Sequence, residues 1–211
     1  MNKQNGFTLV EIAIVMVIIG LLLGGVLKGQ EIITNAKIKN LENDFSGVTA
    51  AIYSYQDRYR ALPGDDGRAQ ARFGITETSS ADKIGNGNIE GDFNSTTETD
   101  ESNLLWAHLR SAGLVDGDAS NNALPVNSFS GITGVSSDKV LDIAEGRTYI
   151  GFSKIPNSIS IILESRSDDE NPNTGSIRAD NGGGASAAKD SDNSYYSDDD
   201  KEAIRNMYFI L

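Results

Sequence analysis

The chain has 211 residues, a formal charge of −12, no cysteine and a single histidine. So acidic a surface repels phosphate backbones, because nonspecific nucleic-acid binding rests on cationic neutralisation, and no nucleic-acid partner is expected. Without cysteine there is no disulfide framework, and with His108 alone and no P-loop or G-x-S-x-G serine motif the chain is not expected to be an enzyme.

Residues 1–6 form a polar leader ending at Gly6, and an apolar run follows from Phe7 to Leu27, broken by one charge, Glu11. Those 21 residues make a helix of about 31 Å, the thickness of a bilayer hydrocarbon core. Lys3 precedes the run with no acid beside it, so the N-terminus is expected to stay in the cytoplasm and the bulk of the chain outside it. A secretory signal has a shorter apolar core with the small-residue cleavage site after it. Here the small residue comes first, so a cut at Gly6 removes the leader and leaves the helix attached.

A carboxylate near the start of a spanning helix costs up to about 2.5 to 3.5 kcal/mol, less at the interface. Glu11 is either solvated at headgroup depth or neutralised by a cation, for which the nearest candidate is the α-amino group exposed by cleavage before Phe7. The segment Gly6-Phe7-Thr8-Leu9-Val10-Glu11 resembles the processing motif of type IV pilins and of the pseudopilins of type II secretion. The resemblance implies a prepilin peptidase that cuts after Gly6 and N-methylates Phe7. It further implies a homo-oligomeric helical filament in which Glu11 of one subunit pairs with the Phe7 amine of another and sets the register, since a buried charge is tolerated when paired. The filament core is then expected at Phe7, Leu9, Val10, Ile12, Ile14, Val15, Val17, Ile18, Gly20, Leu21, Leu22 and Leu23. Gly20, Gly24, Gly25 and Gly29 are tolerated in a membrane helix, or supply a dimerising face at Gly20-x-x-x-Gly24, or, as we prefer, a flexible segment within the packed filament.

Beyond Leu27 the helix is expected to continue to about Tyr59, because Ile38, Leu41, Phe45, Val48, Ile52, Tyr55 and Tyr59 recur at spacings of three and four. Pro63-Gly64 supplies the stop. Residues 28–59 are the amphipathic spine of a globular head, residues 60–211, and the apolar stripe needs a layer to cover it. The expected fold is therefore α+β and pilin-like, a long N-terminal helix packed against an antiparallel sheet. Strands are expected at Thr148 to Ser153, Ser158 to Ser165 and Gly175 to Ala179.

Pro63 to about Ser102 reads as a long loop. A second helix follows, with Leu104, Leu105, Trp106, Leu109 and Leu114 on its apolar face, Asp100 or Ser102 as N-cap and Gly113 as stop. Asp65-Asp66 is explained by a turn, and His108 by packing or surface exposure. The stretches 101–114 and 167–179 resemble segments of pilin-like heads. Many type IV pilins close a C-terminal loop with a disulfide, and here the acidic loop 181–200 has no cysteine and reads as solvated. Lys201 to Leu211 returns with Ile204, Met207, Tyr208, Phe209 and Ile210 docked on the core.

Asp65-Asp66, the run Asn86 to Asp92 and Asp168-Asp169 are rich in oxygen ligands. Asn86, Asn88, Glu90 and Asp92 partly match the start of an EF-hand loop, but Thr97 stands where the bidentate glutamate is required. Solvated turns are preferred there to calcium, and no cofactor is expected. The functional reading is a structural subunit of a type IV pilus, made as a single-pass inner-membrane precursor and assembled by pilus or secretion machinery into an extracellular fibre. A pseudopilin or a minor pilin of such an apparatus is the alternative. A monomeric membrane-anchored binding module is disfavoured by Glu11, which a lone anchor does not need.

Overall fold

The structure is a computed structural model and describes residues 8–75, 84–119, 121–180 and 203–211. Contacts divide the chain into two units, Met1–Lys39 and Asn40–Leu211. Helix α1 runs over Leu9–Tyr59, as the apolar run and the stripe after it require. It passes unbroken through Gly20, Gly24, Gly25 and Gly29, and a Cβ placed on any of the four meets nothing within 4 Å. In the single chain, then, the helix is continuous through these glycines and open space surrounds them. Lys28 and Glu31 pair at 2.8 Å on its surface, an exposed contact worth a few tenths of a kcal/mol.

In the second unit the α1 stripe is buried at Leu41, Val48, Ile52 and Tyr55, with Phe45 and Tyr59 half-buried. Its cover is a four-stranded antiparallel sheet of β1 (Thr133–Ser136), β2 (Tyr149–Pro156), β3 (Ile177–Ala179) and β4 (Ile204–Ile210), in the order β1-β2-β4-β3. Register puts Ile150 opposite Phe209 and Phe152 opposite Met207. This is the face that meets α1, where Phe45 lies 5.2 Å from Phe209 and Phe152 packs edge-on to the same ring at 5.3 Å. Tyr149, Tyr208 and Ile210 point the other way, into a second cluster with Phe93, Val140 and Ile143. The sheet is thus buried on both faces, and β4 is buried at every residue from Arg205 to Ile210. Ile204 is the exception to the expected docking, at 57% exposed.

The cross-strand pair Gly134 and Gly151 makes room for the second cluster. A Cβ at Gly134 would stand 1.6 Å from the Phe93 carbonyl oxygen, and one at Gly151 would stand 2.4 Å from the Phe93 ring. Backbone and ring of Phe93 therefore lie directly on the sheet, which only glycine permits.

The stretch Ser158 to Ser165 is helical, not a strand. It belongs to α4 (Asn157–Ser167), which follows β2 directly. The Ser/Ile alternation at 158–161 mimics a strand, but the buried residues Asn157, Ser160 and Glu164, with Ile159 and Leu163, repeat at helical spacing. Pro156 takes the N-cap position, and the Asn157 N–H donates to Ala203 O at 2.8 Å, which ties the helix start to the approach of β4. The first strand, β1, falls where none was expected: it is four residues long and contains a glycine. Among its described residues the long loop contains one short helix, α2 (Ala69–Phe73). Helix α3 (Glu101–Ser111) lies where the second helix was expected, with Asp100 at the N-cap position and Gly113 at φ +68° just beyond its end. Residues 181–200 lie outside the described residues.

Candidate functional site

Two places concentrate functional chemistry: the start of α1, and the polar groups buried in the head. Gly6 and Phe7 lie outside the described residues, so the geometry begins at Thr8. The Thr8 N–H and the Thr8 hydroxyl both donate to Glu11 Oε2 at 2.8 Å, and the Glu11 N–H donates back to Thr8 Oγ1 at 3.3 Å. This is a capping box, in which the side chains at the first and fourth positions satisfy each other's orphan N–H groups. Sequence reasoning read Glu11 as solvated at headgroup depth or as neutralised by the amine exposed before Phe7, and missed the partner three residues before it. The T-x-x-E spacing ahead of an apolar run was the signal for its local role.

After Glu11 the helix is uniformly apolar to Leu27. Leu9, Val10, Ile12, Ile14, Val15, Val17, Ile18, Leu21, Leu22 and Leu23 are all exposed, from 47% at Ile12 to 88% at Leu9. This is the one helix among the described residues long and apolar enough to cross a membrane. An apolar surface of that extent requires lipid or protein around it.

In the head, the segment after α1 is built on two buried carboxylates. Gly64 sits at φ +94°, and a Cβ there would lie 2.5 Å from the Glu101 carbonyl oxygen. Asp66 accepts the Tyr55 hydroxyl at 2.7 Å, the Arg68 N–H at 3.0 Å and the Arg72 guanidinium, which in turn lies over the Tyr59 ring. Asp65 accepts backbone N–H groups of Gly85, Asn86 and Gly87. Both acids are thus absorbed in joining α1 to the loop, as a turn explanation implies. His108 is buried, stacked on Tyr55 with centroids 6.1 Å apart, and its Nδ1 accepts the Gly64 N–H at 2.9 Å. Burial holds its pKa down to about 4, against the opposing field of Asp66. It is a neutral packing residue.

The run from Asn86 to Asp92 is a series of turns. The Asn88 N–H donates to Asn86 Oδ1, Asn86 Nδ2 donates to Glu90 Oε1, and the Asp92 carbonyl takes the Ser95 N–H and the Ser102 hydroxyl. Among the described residues, the acids whose oxygens gather closely enough to share an ion are Glu164, Asp168 and Asp169. Burial first, and then the charges of Asp168 and Asp169, push the Glu164 carboxyl up to about 8. The alternating-strand reading of 158–165 hid Glu164, because a glutamate on a solvated strand face attracts no attention.

A second polar centre lies under the end of the sheet. Asp180 accepts the Asn206 N–H, the Asn206 side-chain amide and the Tyr208 hydroxyl, at 3.0, 2.9 and 2.8 Å. Its carbonyl takes the Arg205 guanidinium, whose Nε also donates to Asn157 Oδ1. This pins β4 to β3 and α4 without offering a reactive group to solvent.

Residues 1–27 match the family described as the prokaryotic N-terminal methylation motif. No curated protein and no solved structure matches the chain. The matched residues span the leader, the Gly6-Phe7 junction, the capping box and the apolar run, and they imply processing by a prepilin peptidase and assembly into pilus or secretion machinery. An N-terminal apolar helix carrying this motif fits a membrane-anchored precursor. The chain carries the prepilin signature of type IV pilins and pseudopilins, on an α+β architecture consistent with a pilin-like fold.

Proposed function

We propose that the chain is a structural subunit of a type IV pilus filament. It is cut after Gly6, N-methylated at Phe7, held in the inner membrane by residues 7–27 with residues 60–211 outside the cytoplasm, and polymerised through its N-terminal helix into a surface fibre. The observation that carries this reading is the exposed apolar surface of α1 from Leu9 to Leu27 with one carboxylate, Glu11, fixed at its start. A lone anchor needs apolar length but no fixed carboxylate at its start, whereas a subunit that packs beside copies of itself needs a group to set the axial register. Residues 28–59 then serve as the spine of the head, and the acidic loops form the outer skin of the fibre.

Intact mass spectrometry of material sheared from cells, alongside the membrane fraction, tests this. A dominant sheared species that lacks residues 1–6 and carries one added methyl group supports the pilus subunit. A processed species confined to the envelope overturns it in favour of a pseudopilin or minor pilin.

A further inference from the structure

We propose that Glu164, Asp168 and Asp169 form a calcium site at the C-terminal end of α4. The three carboxylates each place an oxygen within 4.8 Å of the others'. Acids that gather on a surface are common, and the cluster alone would carry nothing. What distinguishes this one is Glu164: its side chain is 0% exposed, and neither Oε1 nor Oε2 has a hydrogen-bond partner.

A buried carboxylate left without a donor is among the costliest arrangements a core can hold. A proton would cancel its charge but would leave the two aspartates beside it unneutralised. A divalent cation satisfies both oxygens and offsets the repulsion of the two aspartates together. The donor set is all oxygen, with no histidine or cysteine, so it suits a hard cation, and three carboxylates supply much of the six to eight oxygens that calcium takes. The carbonyl end of α4 adds a field of the right sign, since the C-terminal end of a helix favours positive charge.

The two aspartates are held in place by bonds that leave lone pairs over. Asp168 Oδ2 accepts the Ile177 N–H at 2.8 Å and Oδ1 the Ser176 hydroxyl at 3.1 Å. Asp169 Oδ1 accepts the Asn171 N–H at 3.0 Å and Oδ2 the Thr174 hydroxyl at 2.6 Å. Gly175 lets the loop close over Asp168, since a Cβ there would fall 2.0 Å from its Oδ2. The cation would therefore fasten the end of α4 to the start of β3. The site is independent of whether the chain builds a pilus or a secretion filament.

Calorimetric titration of calcium chloride into the metal-stripped full-length protein in detergent tests the assignment. The expected result is one calcium per chain with a dissociation constant of about 10⁻³ M or tighter, the range of extracellular modules, weakened at least about tenfold in Glu164→Gln. Asp169→Asn is the second variant: the side chain is exposed and asparagine keeps an oxygen for the Asn171 N–H, so folding is preserved while a charged ligand is lost, and the same weakening is expected. Asp92→Asn, in the other oxygen-rich loop, leaves binding unchanged. The proposal is overturned by the absence of saturable binding up to about 10 mM, tenfold above that range, by binding indifferent to both Glu164→Gln and Asp169→Asn, or by binding lost in Asp92→Asn.

Discussion

Protonating His108 should unlatch the head from within. The imidazole is 1% exposed, its Nδ1 is occupied by the Gly64 N–H, and its Nε2 has no partner, so a second proton on the ring breaks the Gly64 bond and leaves a charge in the core. Its pKa is about 4 in the folded protein against about 6.5 in the unfolded chain. The unfolded state therefore takes up the proton as pH falls below about 6.5, while the folded state refuses it until about 4. The stability tied to the neutral ring is fully present above the upper value and is lost as pH falls through that window. At 1.36 kcal/mol per unit, a gap of about 2.5 units is worth about 3 kcal/mol at the bottom of the window.

His108→Asn isolates this contribution, because asparagine Oδ1 can accept the Gly64 N–H in place of Nδ1 but does not titrate. Denaturant unfolding of the full-length protein in detergent can be followed through Trp106, the one tryptophan, which is wholly buried two residues before His108 on α3. Every other titrating group is common to both proteins, so the difference between their stabilities should shrink by about 3 kcal/mol from pH 7 to pH 4. Since His108 is the one histidine, its imidazole signal in a nuclear magnetic resonance titration is unambiguous. Parallel stability curves for the two proteins, or an imidazole titrating near 6.5 while the head stays folded, would refute the reasoning.

Gly134→Ala should destabilise the head by about 3 kcal/mol or more, because the new Cβ collides with the backbone of Phe93, which no rotamer change can move aside; a thermal melt within a few degrees of wild type would contradict this. Tyr208→Phe removes the hydroxyl donated to Asp180 and should cost about 2 kcal/mol, read by chemical denaturation, with a neutral outcome showing that the Asn206 amide suffices. Gly6→Val should leave uncut precursor in the membrane fraction, detected by a mass that retains residues 1–6, and normal cleavage would remove the prepilin reading of the junction. Glu11→Ala should permit cleavage yet lower the yield of sheared fibre at least tenfold, and an unchanged yield would sink its proposed role in register.

The parts legible in the sequence were those whose signal is local and periodic. The apolar run and the three-and-four stripe fix α1 because a helix of that length needs no distant partner to declare itself. Helix α3 was equally plain from its leucines and from Gly113. What was not legible depends on contacts far apart in the chain. β1 is a strand because Gly134 pairs with Gly151 under Phe93, and nothing in Thr-Gly-Val-Ser announces that. α4 is a helix although its serines and isoleucines begin by alternating, since burial at residues 157, 160 and 164 overrides a short local pattern. The site divides in the same way. Gly6, Phe7 and Glu11 stand out in the sequence, whereas Glu164 acquires its interest only when α4 buries it beside two aspartates contributed by the following loop.

Under the filament reading, Glu11 serves two states without conflict. Both local donors, the Thr8 N–H and the Thr8 hydroxyl, go to Oε2. The capping box therefore occupies one oxygen and fixes the direction of the other. In a precursor held in lipid, two donors on one oxygen lower the cost of keeping a carboxylate at the end of an apolar helix, and the positive field of the helix N-terminus acts in the same sense. Under the filament reading, the partner amine need not strip away the cap to reach Glu11, because it approaches a carboxylate already oriented by Thr8. The ordering entropy of the side chain has been met before assembly, which is the condition under which a buried ion pair contributes to geometry more than it costs.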